Sequence, residues 1–311
     1  MKTTDLFKAM KPLLLCSALL IVIGFGWSKA EATEGGGGMY PNGAEGFMTG
    51  ALPPPGLYIV EYLNHYSADK LMDGDGDKVP IDFKVDASAA VTRILYQTDK
   101  DFLGGNLGGY VLLPLVHMSA DTTFGSGTKS GFGDMTVAPF VSWHFGKNLH
   151  MASAVDINIP TGAYDKNEIA NIGRNYWTIE PVLAVTYLAD NGMEVSAKFM
   201  YDFNTTNEDT DYESGQEFHF DYALGYHTGP WTFGATGYYY QQVTDDSGTM
   251  MPAGVPASVN DGNKGQVFAA GPSIKFDSKG TIVEFRYQRE MLAENKPEGD
   301  KFWVKLIWPI Q

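Results

Sequence analysis

Cysteine is almost absent from this chain. Its single example, Cys16, sits in an N-terminal apolar run behind Leu15, not behind the small residue that a lipid-anchored cleavage site needs. The remainder has no thiol, which excludes a disulfide framework, a thiolate metal site and a cysteine nucleophile. Basic residues are also scarce: 22 Lys and Arg face 37 Asp and Glu, for a formal charge of −15. Nucleic-acid binding is driven by Lys and Arg neutralising phosphates, so nucleic acid is excluded as a partner. Long apolar runs are missing after Trp27. A chain that enters a membrane without them does so as a closed barrel, which pairs every backbone group.

The N-terminus carries Lys2, Lys8 and Lys11, then an apolar run from Leu13 to Trp27, then the small residues Ser28, Ala30 and Ala32. That order reads as a secretory signal peptide over residues 1–30. The 15-residue run is shorter than the roughly 20 residues of a spanning helix. Removing the net +3 of residues 1–30 from −15 leaves −18 for the exported chain. Residues 31–55, with Gly35 to Gly38 and Pro53 to Pro55, show no helix or strand pattern. They read as a flexible leader or as a partial plug of a barrel lumen.

From Asn191 to Gln242 the chain alternates apolar and polar residues. Met193, Val195, Ala197, Phe199 and Tyr201 oppose Glu194, Ser196, Lys198 and Asp202, and Phe218 to Tyr226 oppose Glu217, His219 and Asp221. Each such run is a strand with one greasy face. Twelve candidates follow this pattern, at 56–66, 80–96, 103–118, 131–145, 148–160, 174–188, 192–204, 215–228, 231–243, 264–277, 280–293 and 300–310. Compact turns such as Gly146-Lys147 and Gly229-Pro230 alternate with long polar stretches: Ser67 to Val79, Ser119 to Ser130, Thr161 to Gly173, Thr205 to Ser214, Thr244 to Asn263 and Ala293 to Gly299. Residues 56–311 are therefore expected to form an all-β transmembrane antiparallel up-and-down barrel in a bacterial outer membrane, short turns on the periplasmic side.

Aromatic residues on the apolar parity fall into two sets. Trp143, Tyr187, Tyr226, Trp231, Phe233, Phe276 and Trp308 lie near the short turns; Trp177, Tyr201, Phe203, Phe218, Tyr239, Phe268, Tyr287 and Phe302 lie near the long loops. Two such rings are the girdles of a barrel at its two interfaces. In the second strand Arg93 falls on the apolar parity, which suggests a bulge or an interfacial position.

The opposite parity supplies the expected lumen. Its candidates are Lys84 and Asp86, then Asp134, Phe140 and His144, then His150 and Asp156, then Glu180, Lys198 and Asp202. Further along come His219 and Asp221, Tyr238 and Tyr240, Glu284 and Arg286, and Trp303 with Lys305. Phe140, Tyr238, Tyr240 and Trp303 could offer an aromatic solute sliding contacts among the charges. His144, His150 and His227 would gather at the periplasmic mouth, but no pair has ligand spacing, so no metal or other cofactor is expected. Asp73-Gly74-Asp75-Gly76-Asp77 opens like a calcium loop, yet Lys78 and Lys84 occupy its sixth and twelfth positions. Gly125 to Gly131 lacks the glycine spacing and following helix of a phosphate cradle. Ser142 shares a face with His144 without a nearby acid, so neither a hydrolase nor any other enzyme is expected.

Several motifs together resemble the MetA-pathway phenol-degradation family. They are Pro53 to Tyr58, Leu103-Gly104-Gly105 with Leu113-Pro114-Leu115, and Gly131-Phe132-Gly133-Asp134 leading to Pro139 and Trp143. Ile159 to Asp165 with Asn171 to Asn175, Tyr212 to Gly215, and Gly237-Tyr238 before Gly271-Pro272 continue the pattern. The resemblance implies an outer-membrane barrel for small hydrophobic or aromatic compounds and brings no catalytic residues. The expectation is a passive channel, the alternative a non-transporting structural or adhesion barrel. Its surroundings would be the lipid bilayer and lipopolysaccharide, with the barrel-assembly machinery acting during biogenesis.

Overall fold

The computed structural model describes residues 37–248, 264–278 and 280–310. The expected signal peptide and residues 31–36 lie outside the described residues, as does most of the stretch after Thr244. Among the described residues there are fifteen strands and no helix. The first eight are β1 (Gly56–Leu71), β2 (Phe83–Phe102), β3 (Gly105–Thr122), β4 (Gly125–Phe132), β5 (Met135–Phe145), β6 (Leu149–Ile159), β7 (Thr178–Leu188) and β8 (Met193–Asn204). After the short β9 (Tyr212–Glu213) come β10 (Glu217–Thr228), β11 (Trp231–Gln242), the short β12 (Ser247–Gly248), β13 (Gln266–Ser278), β14 (Thr281–Glu294) and β15 (Pro297–Ile310).

All pairings are antiparallel, the ring follows chain order with β9 and β12 set aside, and it closes where β1 meets β15, from Leu57 opposite Ile310 to Leu71 opposite Pro297. β4 and β5 share one stave. β4 pairs with the outer half of β3, from Leu115 to Thr122, and β5 with its inner half, from Asn106 to Leu112. The result is a closed antiparallel barrel of twelve staves, as the alternation implied. β9 and β12 pair with each other away from the ring.

The outer ends depart from expectation. Ser119 to Ser130 is not a loop but a hairpin turning at Thr123-Phe124, and the expected loop Ala293 to Gly299 shrinks to a turn at Asn295-Lys296. At about 3.3 Å per residue the 20 residues of β2 reach roughly 65 Å, well beyond a hydrocarbon core of about 30 Å. Strand that protrudes into water needs no apolar outward face, so the alternation that marks a lipid-facing strand vanishes there. At the opposite end the β2–β3 hairpin turns on Leu103 and Gly104, both at positive φ (54° and 78°). Two successive left-handed residues suit the twist of a tight hairpin.

The two faces of the ring are inverted relative to a soluble protein. Val195, Leu224 and Phe285 on the outside are 51%, 51% and 53% exposed, whereas Glu194, Ser196, Ala223 and Glu284 inside are buried. Outward aromatics meet across strands at both ends: Trp231 lies 4.6 Å from Phe276 near the short turns, and Tyr287 5.0 Å from Phe302 near the outer loops. Such a surface is stable only against lipid. Leu224, midway along β10, tests this. Leu224→Arg should cost about 2–4 kcal/mol of folding stability in lipid vesicles, read from urea titrations, while an arginine in place of exposed Glu208 in the outer loop should cost almost nothing.

Candidate functional site

Residues 37–55 have no ladder of their own, so their peptide groups need partners elsewhere. They find them on inward side chains of the barrel. Asp221 accepts hydrogen bonds from Tyr40 Oη (2.6 Å), Gly43 N (2.7 Å) and Glu45 N (2.9 Å). Met48 N donates to Glu194 (2.5 Å) and Gly50 N to Thr186 Oγ1 (2.9 Å). In return Arg286 donates to the Ala44 carbonyl (2.6 Å) and Lys301 to that of Asn42 (3.1 Å). Gly50 lies so close to the wall that a Cβ there would come within 2.6 Å of the Thr186 nitrogen.

Glu45 is the centre of the charge arrangement. Its Oε1 accepts from Arg93 Nη1 and Tyr62 Oη, both at 2.9 Å, and its Oε2 accepts from Lys305 Nζ. All four side chains are buried. A buried carboxylate held by two cations is costly to break, because removal leaves uncompensated charge behind.

Above this segment, toward the outer loops, opens a cavity of about 530 Å³. One wall is apolar: Val85, Ala87, Ala89 and Val91 of β2 with Leu112, Pro114, Val116 and Met118 of β3. Beside it stand Tyr62 and Tyr66 of the adjoining β1, with Trp303 in one apolar cluster with Val91 and Leu112, and on the far side stand Tyr238 and Tyr240 of β11; the floor includes Tyr40, Ala44 and Glu45. Several of these rings already hold cations. Lys198 Nζ lies 4.3 Å from the Tyr40 ring centre, Lys301 4.3 Å from Tyr238 and Lys296 4.1 Å from Tyr240. The cavity thus combines an apolar face with electron-rich rings, several of them holding cations.

The expected lumen residues divide clearly. Asp156, Glu180, Lys198, Asp202, His219, Asp221, Tyr238, Tyr240, Glu284, Arg286, Trp303 and Lys305 are buried on the inward parity. Phe140 is buried too, stacked 6.0 Å from Tyr110 in a cluster with Leu52 of the N-terminal segment, not in the cavity. Asp134 accepts from Gly162 N (2.8 Å) and Arg174 N (2.7 Å), which clamps the loop that rims the cavity. Lys84 and Asp86 are corrected: the odd residues of β2 line the cavity, so these two face outward, paired with each other at 3.1 Å with Lys84 63% exposed. The same shift places Arg93 inward and removes the need for a bulge. The more apolar parity of β2 points into the barrel because the outward face of its protruding half meets water.

The three periplasmic histidines do not form one group. His144 and His150 touch through their Nδ1 atoms (2.7 Å), whereas His227 bonds Glu194 (2.6 Å) and Thr232 (3.1 Å). Ser142 bonds Gln97 (2.6 Å), not a histidine. Glu180, Asp202 and His219 are brought together instead, one ligand atom from each within 4.8 Å of the others. Missed from the sequence were Tyr40, Glu45, Tyr62, Tyr110 and the apolar β2–β3 wall. Glu45 had no detectable signal, since it lies outside any periodic stretch.

In the outer loops Asp246 accepts from Tyr212 Oη, Gly215 N and Gln242 Nε2. Burial, reinforced by the nearby Glu217 carboxylate, nevertheless pushes its pKa up to about 8.

A ring of twelve antiparallel staves with an apolar exterior and a charged interior defines an outer-membrane β-barrel. The chain belongs to the family described as "Putative MetA-pathway of phenol degradation", which matches residues 68–306. No curated protein matches it in sequence. Among solved structures it is similar to an outer membrane channel from Pseudomonas putida F1, at 17% identity and a TM-score of 0.73, covering 84% of this chain and 98% of that one. It is also similar to the translocator domain of the autotransporter NalP from Neisseria meningitidis, at 10% identity and a TM-score of 0.51, covering 84% and 91%.

Two measurements test this geometry. Glu45→Ala should free residues 37–55 from the wall, so that a cysteine introduced at Ala44 becomes labelled by a water-soluble maleimide at least about tenfold faster while the barrel still migrates as folded. For Asp246 the folded pKa is raised above the unfolded one. Its contribution is therefore fully present below about 4 and is lost as pH rises through about 8. Protease resistance of the loop around Tyr212 should fall between pH 5 and pH 9, and Asp246→Asn should flatten that dependence.

Proposed function

We propose that the protein is a passive channel for small hydrophobic or aromatic compounds, with the cavity as its outer vestibule and residues 37–55 as the constriction below it. The observation that carries this reading is the apolar β2–β3 wall inside an otherwise charged lumen. An ion channel or a purely structural barrel gains nothing from Val91, Leu112, Val116 and Met118 facing its interior, whereas a weakly polar solute gains burial at about 25 cal/mol per Å² of apolar contact. Tyr238 and Tyr240 on the far side, and Trp303 beside the wall, would take an aromatic ring edge-on or stacked. The family's description and the channel of similar fold from Pseudomonas putida support the same reading. No bond is made or broken: the side chains hold, orient and release the solute.

The second reading, a non-transporting barrel, is favoured by one observation, the dense hydrogen bonding of residues 37–55 to the wall. Liposome swelling separates the two. With phenol-sized solutes, protein-loaded vesicles should swell faster than empty ones, and deletion of residues 37–55 should raise the rate several-fold. Met118→Asp with Val116→Asp should slow aromatic solutes more than sugars of equal size. A barrel that admits neither ions nor solutes, with or without that segment, overturns the channel.

A further inference from the structure

Three side chains that the channel reading treats only as wall charges meet at one level of the barrel. Glu180 is on β7, Asp202 on β8 and His219 on β10, and these staves are hydrogen-bonded neighbours. Ile179 stands opposite Phe203 across β7 and β8, while Asp202 faces Glu217 and Met200 faces His219 across β8 and β10. The alternation turns all three inward. His219 Nε2 lies 3.3 Å from Asp202 Oδ2 and 4.0 Å from Glu180 Oε2.

The surroundings do not satisfy them. Each side chain is 1% exposed, and Glu180 Oε1, Asp202 Oδ1 and His219 Nδ1 have no hydrogen-bond partner. Buried polar atoms are ordinarily paired, so three orphaned atoms on three touching residues demand a cause. Lys198, the cation of the same stave as Asp202, is shared with Asp156 at 4.0 Å and with the Tyr40 ring. Glu217, opposite Asp202, adds a further carboxylate to the same level.

Ligands about 2.1 Å from a divalent ion are separated by roughly 3.4 Å in a tetrahedron, matched by His219 and Asp202 at 3.3 Å, while Glu180, 4.0 Å from His219, would close by a side-chain adjustment. An imidazole with two carboxylates suits Zn²⁺ or a similar first-row ion, whereas Ca²⁺ wants six or more oxygens and Mg²⁺ keeps its waters. We propose that Glu180, Asp202 and His219 form a binding site for a divalent transition-metal ion of the Zn²⁺ type. Glu180 borders the cavity, so the ion would arrive from the outer side. There it would cross-link three neighbouring staves beside the N-terminal segment, whose Tyr40 ring lies 5.3 Å from that of His219.

The site is independent of transport: a barrel that conducts nothing would still bind the ion. The test uses the full exported chain, folded in detergent, stripped with EDTA and titrated with Zn²⁺ by calorimetry and with Co²⁺ by visible absorption. One ion per barrel is expected. His219→Asn, Asp202→Asn and Glu180→Gln should each weaken it by about tenfold or more. They lie on different staves, so a variant that fails to fold, judged by heat-modifiable migration, leaves two others to read. His144→Ala with His150→Ala, which removes the other histidine pair, should leave the affinity unchanged. A wild-type barrel that takes up no Zn²⁺ or prefers Ca²⁺ overturns the proposal. So does binding that survives the first three variants and disappears in the histidine double variant.

Discussion

Hydrocarbon offers a peptide group no hydrogen bond, and the architecture follows from that. Each strand must find a partner on both sides, which a sheet achieves only by closing on itself. The seam between β1 and β15, paired from Leu57 to Leu71, is therefore the joint on which the ring depends. Once it is made, the chain has no edge in the membrane, and the outside is free to be apolar. The protruding outer ends of β1 and β3, and β4 with them, keep their hydrogen bonds but escape the demand for an apolar exterior, which is why their sequence looks like loop.

Closure creates a second problem, because twelve staves enclose more space than their own side chains fill. Here the interior is charged in its middle, and residues 37–55 occupy it. The segment brings peptide groups that need partners, and the wall brings Asp221, Glu194, Glu284 and Arg286, which need them too. Each set offsets the desolvation of the other. Glu45 between Arg93 and Lys305 completes the balance, and without it two buried cations on the staves flanking β1 would be left uncompensated.

The ring was legible because lipid imposes a strict period on the staves that cross it. β7, β8, β10, β11, β14 and β15 keep enough of the alternation, despite apolar inward residues such as Val182, Met200, Ala223 and Trp303, that their strands and both aromatic girdles could be read from it. β2 defeated the same logic. Over residues 83–91 its odd positions are Phe, Val, Ala, Ala and Val, facing a cavity, and its even ones include Lys84, Asp86 and Ser88, facing water. Averaging over that half reverses the parity; Arg93, further down, kept the true one. Glu45 and Tyr40 were illegible for a different reason. Their places are set by partners some 180 to 260 residues away in sequence, Asp221 and Lys305, and no local pattern reports such contacts. The meeting of Glu180, Asp202 and His219 was half legible: each could be assigned inward, but their common level depends on register between staves.

That register also explains why chemistry of two kinds coexists in one lumen. Staves β7, β8, β10, β14 and β15 line the interior with carboxylates and cations, whereas outward of Arg93 the inward residues of β2 and β3 are apolar. Counter-charges must lie within a few ångströms to offset burial, so they cluster on adjoining staves. What remains is an uncharged strip on the outer halves of β2 and β3, beginning above Arg93 and continuous with the part of the hairpin that stands clear of the membrane. A solute too apolar for the charged side meets no desolvation cost along that strip. The segregation of charge around the ring, forced by the pairing of buried ions, is thus itself what gives the proposed path an apolar side.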